Sequence, residues 1–257
     1  MIRAAAPMPA RRLFGAYVKE TKYAFLRFLR NPAFSIPTLA FPPMFYLLVG
    51  YLFGGFTAED PDVPMYLFCG FATMAAMTPG MFGFGIGLAL EREQGLLQLK
   101  RALPMPPFAA LGSNVAMSVL STFIAVVLHA AVATALGLVS MAPLTLLAMT
   151  LTIAAGAIPF SAIGLLLGAT VSGRAAPAVV NVLYIVLLYF SGLFIPLPEA
   201  IRSVVLASPA FYLHQLTLDV VGAPNYLAGG ALHHVAVLVG ITVLCLGVAT
   251  RRLARVG

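Results

Sequence analysis

The amino-acid sequence predicts an all-α integral membrane protein of six transmembrane helices, with an amphipathic helix ahead of them. Hydrophobic residues make up 61% of the 257 and charged residues only 9%, at a mean hydropathy of +1.00. Soluble domains run at roughly 45–50% apolar and about 25% charged. The apolar residues gather into runs of the ~20 residues that a helix needs to cross the hydrocarbon core, and the cations gather at the ends of those runs. With the runs set aside, no remaining segment is long enough to bury a water-soluble core. Any energy source or soluble catalytic module therefore belongs on another chain.

Residues 1–31 form the first unit. From Arg11 to Arg30, apolar Leu13, Phe14, Tyr17, Val18, Phe25, Leu26 and Phe28 alternate with Arg11, Arg12, Lys19, Lys22, Arg27 and Arg30 at loosely helical spacing. That pattern predicts an interfacial helix on an anionic leaflet, its cations reaching the head groups, and Asn31-Pro32 ends it. The first apolar run after it is full length, so it reads as a span and not as a removed signal peptide.

Residues 32–257 form a single transmembrane domain. The first span runs from about Phe34 to Phe53, with Pro37, Pro42 and Pro43 predicting a kinked or unwound first half whose freed carbonyls need other donors. An acidic loop, residues 57–64, carries Glu59, Asp60 and Asp62. The second span, from about Met65 to Leu90, is interrupted by Pro79-Gly80 and by Gly83, Gly85 and Gly87. The GFGIG run lacks the Lys-Ser/Thr ending of a phosphate-binding loop, and close helix packing is the simpler reading. A third span, about Ala109 to Leu136, holds Ser113, Asn114, Ser118, Ser121, Thr122 and His129, a polar face that belongs inside the bundle or along a water-filled path. The fourth runs from about Leu144 to Val171, broken at Gly156 and Pro159, with Gly164 and Gly168 as a small-residue pair. A basic turn, Ser172-Gly173-Arg174, leads to a fifth span from about Ala178 to Ile195. Residues 196–224 are amphipathic and too broken by proline to cross alone, so an extracytoplasmic re-entrant helical hairpin fits them. The last span runs from about Tyr226 to Ala249.

Charge fixes the sidedness of this layout. With six spans, the amino-terminal segment, the loop after the second span, the Arg174 turn and the carboxyl terminus share one side, and fourteen of the fifteen Lys and Arg residues fall there. Arg202 alone falls on the other. The positive-inside bias puts both termini in the cytoplasm of a cell (inner, cytoplasmic) membrane. The net charge of +7 is thereby accounted for by topology, and no basic patch interleaved with aromatics points to nucleic acid. Cys69 and Cys245 both lie inside apolar runs, away from any thiolate metal site or disulfide framework.

One polar stretch, residues 91–107, interrupts the apolar first half: EREQGLLQLKRALPMPP. Leu96, Leu97, Leu99 and Leu103 share a face, Glu91 and Glu93 lead, Lys100 and Arg101 follow, and Pro104, Pro106 and Pro107 stop it. Acids first and cations last suit the helix dipole, predicting a short cytoplasmic helix that starts at Glu91. The run, placed after the second of six spans, resembles the coupling-helix motif of permease subunits of type-2 ABC exporters, drug- and antibiotic-exporter branch. Leu96 stands where that family frequently has Thr. The resemblance covers most of the chain and implies ATP-driven export by a dimer of permease chains, two copies of this one or this one with a similar one. Two separate ATPase subunits would dock on residues 91–107 and on the amino-terminal helix. It implies that Glu91, Arg92, Glu93, Gly95, Leu97 and Leu99 couple to the ATPase, and that this chain holds no cofactor, ATP and Mg being bound by the partner. The substrate path would be lined by the first, second and fifth spans, with Phe41, Phe45, Tyr46, Tyr184, Tyr189 and Phe190 as its candidates, and its apolar character points to a hydrophobic or amphiphilic substrate.

Alternatives stay open at this point. A glycan-exporting permease has the same layout. A transporter driven by an ion gradient would need carboxylates at membrane depth, and none falls inside the predicted spans. An intramembrane enzyme would need a nucleophile with its base, or a metal set; neither H-E-x-x-H nor G-x-S-x-G is present, and His129 alone lies deep in a span.

Overall fold

The computed structural model describes residues 10–52, 62–102, 109–194, 205–224 and 230–256. Helix α1 (Ala10–Leu29) leans on the bundle. Then come α2 (Pro32–Leu52), α3 (Val63–Thr78), a π-helical segment (Pro79–Ile86) and α4 (Gly87–Glu93), the last three forming one continuous helical run. Short α5 (Leu96–Ala102) is followed by α6 (Ala109–Ala135), α7 (Pro143–Thr170), α8 (Ala176–Tyr189), α9 (Pro209–Val221) and α10 (Gly230–Val256).

Five helical stretches, Pro32–Leu52, Val63–Glu93, Ala110–Ala135, Pro143–Thr170 and Gly230–Ala254, are long and apolar enough to cross a membrane. The predicted fifth span departs from this. Its helix stops at Tyr189 after 14 residues, about 21 Å at 1.5 Å per residue and short of the roughly 30 Å hydrocarbon core. A turn through Gly192 follows, and Gly70 accommodates it: a methyl group there would lie 1.8 Å from the Leu193 carbonyl oxygen. Of the re-entrant region, α9 is described and is inserted among α3, α7 and α10 with Tyr212, Leu213, His214 and Gln215 buried. Residues 196–204 of that prediction lie outside the described residues, as do Glu59 and Asp60 of the acidic loop.

Of the two expectations for the prolines of the first span, kinking or unwinding, unwinding does not occur. Helix α2 stays helical through Pro37, Pro42 and Pro43, and α7 through Pro159. Pro79 is the one that changes the local structure. It removes the N–H that would bond the Ala75 carbonyl, and the chain widens into the π-helix there. The Thr122 hydroxyl of α6 donates to that Ala75 oxygen at 3.4 Å, a long bond.

Helix α7 is the hub, packed against the π-helix, α4, α6, α9 and α10. Lipid chains are as apolar as leucine, so helices in a bilayer gain by close backbone approach at small residues. At the crossing of the π-helix and α7, a methyl group on Gly164 would lie 2.1 Å from the Gly80 oxygen, and one on Gly168 would lie 2.8 Å from the Gly85 oxygen. The glycines predicted as packing residues therefore face one another, backbone to backbone. The polar face of α6 points into the bundle, where Ser118 Oγ donates to Asn114 O at 3.0 Å and Ser121 Oγ to Met117 O at 2.9 Å within the helix, while Thr122 reaches across to α3. His129 stacks on Phe68 (ring centroids 4.6 Å apart) and meets Tyr46 edge-on at 5.0 Å. The interior is packed aromatic and aliphatic surface.

Gly164→Leu should therefore force the two helices apart and destabilise the protein by about 1–3 kcal/mol. Gly87→Ala, where no atom lies within 4 Å of an added methyl, should be neutral or stabilise by up to about 1 kcal/mol. Thermal unfolding in detergent checks both, and equal melting of the two variants would contradict this account of the crossing.

Candidate functional site: a clasp at the basic end

The polar stretch folds differently from its predicted form. Glu91, Arg92 and Glu93 are the last turn of the second spanning run, not the start of a new helix. Gln94 and Gly95 make the turn, with Gly95 at φ +71°, a left-handed conformation that side-chain-bearing residues enter only at a cost. Its N–H donates to Arg92 O at 3.2 Å, and its own carbonyl accepts from Gln98 N at 3.1 Å, opening α5. One glycine thus ends α4 and starts α5, an elbow that the face shared by Leu96, Leu97, Leu99 and Leu103 does not reveal because all four lie beyond it. Residues 103–107 of the predicted helix lie outside the described residues.

The dipole reading of the acids reverses as a result. Glu91 and Glu93 sit at a helix carboxyl end, the unfavourable end for carboxylates, and each has a cation from another element. Glu91 Oε1 lies 3.5 Å from Arg27 Nη1 of α1, and Glu93 Oε1 lies 3.8 Å from Arg174 Nε in the α7–α8 turn. Between them, Arg92 reaches across to α7. Its guanidinium donates to the Ala169 carbonyl and, at 2.6 Å, to the Val171 carbonyl. These oxygens belong to the last turn of α7, which has no intrahelical donors for them, and a cation there also complements the helix dipole. Gly173 completes the fit, since a methyl group on it would lie 2.2 Å from Glu93 Oε2.

Three consecutive residues therefore hold three separate elements: Glu91 holds α1, Arg92 the end of α7, Glu93 the turn into α8. The leucines of α5 divide as well. Leu97 packs toward Phe84, Leu88, Leu165 and Ala249, whereas Leu99 is 64% exposed and Leu96 38%. Sequence reading named Glu91, Arg92, Glu93, Gly95, Leu97 and Leu99 but missed their partners Arg27, Gly173 and Arg174. A signal was present: Glu91 and Glu93 are two of only three acids at the basic end, with Glu20 the third.

The proposed path residues scatter. Tyr46 is completely buried against Phe68, Phe71 and His129, with its hydroxyl donating to Pro64 O at 3.3 Å, so within one chain it is packing and lines no surface. Tyr184 is half-buried, its hydroxyl 3.1 Å from Thr78 Oγ1 and its ring 5.0 Å from Phe82. Phe45 packs edge-on against Phe41 at 5.5 Å. Phe41, Tyr189 and Phe190 are exposed on the outer apolar faces of α2 and the end of α8. Among the described residues, no group of three or more His, Cys, Asp or Glu could hold a metal ion.

An all-helical bundle crossing a membrane several times, with charged side chains concentrated in a clasp at one end, has the build of a multi-pass transport protein. Residues 19–220 match the ABC-2 type transporter family, and the chain belongs to it. It is also 22% identical over 213 residues, 81% of this chain and 87% of the relative, to a protein of Bacillus subtilis (strain 168) named "Putative transport permease YvfS". Membership makes this chain a transport permease and implies an ABC ATPase as its partner.

Arg92→Gln should uncap α7 and cost about 1.5–3 kcal/mol, the usual value of hydrogen bonds from a charged donor. Arg174→Gln removes only an exposed partner and should change stability far less. Thermal melting of the two variants in the same detergent checks the ranking, and the reverse order would remove Arg92 from its structural role.

Proposed function

We propose that this chain is the permease subunit of an ATP-driven exporter in the cell membrane, with its basic end and both termini in the cytoplasm. The single observation that carries this reading is the clasp. Elbow and α5 project from a point that α1, α7 and the α7–α8 turn all grip, and the Leu96–Leu99 side of α5 is left open. A partner pressing on that side would move three elements of the bundle together, whereas a solvated loop would absorb the push. The partner is a separate ATPase that carries ATP and Mg; this chain contributes no cofactor site and performs no hydrolysis.

Two copies complete the path, on this reading. In a single chain the interior is packed and the path candidates Phe41, Tyr189 and Phe190 face outward. An apolar conduit between α2 and α8 of facing copies would accept a hydrophobic or amphiphilic substrate, and the apolar character of those residues favours such a molecule over a glycan. The inward-facing Glu91, Arg92 and Glu93 transmit the motion, and the outward face of α5 receives it.

Leu99→Asp should abolish retention of the ATPase in gentle purification while leaving membrane insertion intact. The wild-type companion should carry G-x-x-x-x-G-K-[ST] in its sequence, identified by mass spectrometry. Glu93→Arg alone should uncouple ATP hydrolysis from transport in vesicles, and Glu93→Arg with Arg174→Glu should restore part of the coupling. A chain that purifies alone and transports in response to a proton gradient, without ATP, would overturn the proposal.

A further inference from the structure

Between α1 and the helices on which it leans lies a cavity of about 350 Å³ that adjoins the clasp. It falls within the roughly 300–1,000 Å³ of ligand pockets, and it is more than twice the ~150 Å³ of a deleted core side chain. Phe28 of α1, Phe34 of α2, Phe82 of the π-helix and Met117 of α6 form its apolar wall, and Arg27, Asn31 and Asn114 supply its polar part. The floor is opened by Gly83 and Gly87, which bring no side chains.

The setting selects the occupant. The cavity lies at the basic end, beside an amphipathic helix whose described face carries Lys19, Lys22 and Arg27, followed by Arg30, against Glu20 alone. An apolar wall at that depth attracts a hydrocarbon chain, since apolar cavities stay dry. Arg27 is exposed and meets Glu91 through one amino group; a guanidinium has five N–H donors, so it can also bind a phosphate in the forked manner typical of arginine. Asn31 and Asn114 add amide groups to the same rim.

We infer that this cavity is a binding site for an amphiphile with an anionic phosphate head, a glycerophospholipid of the surrounding leaflet, its chain along Phe28, Phe34, Phe82 and Met117 and its phosphate at Arg27. The site needs neither ATP nor a partner subunit. Because Arg27 also holds Glu91, the bound lipid touches the clasp and sets how tightly α1 is joined to the elbow.

The test uses the delipidated full-length chain in detergent, with dioleoyl phosphatidylglycerol, dioleoyl phosphatidylcholine or inorganic phosphate added, read by native mass spectrometry and thermal unfolding. The anionic lipid should be retained about fivefold better than the zwitterionic one, the effect of one cation near a membrane surface, and should raise the melting temperature. Arg27→Gln should erase that preference, and Arg27→Lys should keep most of it. Gly87→Leu puts a side chain into space where no atom lies within 4 Å of the added Cβ, and should lower retention of both lipids without lowering the melting temperature of the lipid-free protein. Retention of the anionic lipid by Gly87→Leu at the wild-type level, or an undiminished preference in Arg27→Gln, would overturn the site. Equal stabilisation by inorganic phosphate would reduce it to a free-anion contact and overturn the lipid assignment.

Discussion

Where the second spanning run crosses α7, glycines stand in place of side chains and the two backbones touch. Gly80 and Gly85 face Gly164 and Gly168 so closely that a single methyl group on Gly164 would meet a carbonyl oxygen. In a bilayer there is no water to drive helices together, and contact of this closeness supplies the dispersion energy that holds them. The π-helix belongs to the same arrangement. Pro79 cannot continue the α-helical bond pattern, and the widened segment that results presents its glycines to α7. Because α7 also carries α6, α9 and α10, the position of most of the bundle follows from this one crossing.

The clasp lies at the end of that crossing and depends on it. Arg92 can reach the last carbonyls of α7 only because α4 and α7 run side by side from the glycine contact onward. With the guanidinium in place, Glu91 and Glu93 diverge to opposite sides, one toward α1 and the other toward Arg174. Exposed ion pairs contribute little to stability individually. Here their consequence is geometric, since they fix which elements move with the elbow. In the function proposed above that geometry has a use: a push by a separate ATPase on one short helix would become a rearrangement of helices many residues away.

Among the described residues, the interior of a single chain is closely packed. Hydroxyls such as those of Ser118, Ser121 and Thr150 bond back to carbonyls of their own helices, Thr150 Oγ1 to Leu146 O at 2.7 Å, while Thr122 crosses to Ala75 O, and His129 is enclosed by aromatic rings. Hydroxyls satisfied in this way suit a dry bundle. Unpacked apolar surface lies on the outer sides of α6, α7 and α10, and on α2 and α8, which carry the path candidates Phe41, Tyr189 and Phe190. In the two-copy reading, the faces of α2 and α8 are the ones available to a second permease chain.

Much of this was legible in the residues. Composition and run length determined five of the six expected membrane-spanning helices and their order, because roughly 30 Å of hydrocarbon demands ~20 apolar residues whatever the packing. The EREQGLLQLKRALPMPP run determined where the distinctive site lies, and the family match bears out the resemblance it carries. Tertiary structure decided what each of those residues does. Glu91 reads equally well as the first turn of a new helix or the last turn of an old one, since the leucine face begins only after Gly95 and the positive φ of that glycine is what separates the two. Tyr46 reads as path or core with equal ease, since an aromatic ring suits both. Arg27 and Arg174 lie far from the acids in sequence and become their partners only because α1 and the α7–α8 turn are folded against the same helix end. Local spacing constrains which residues share a helix face, but which faces meet is settled by long-range contacts that a single chain's periodicity does not encode.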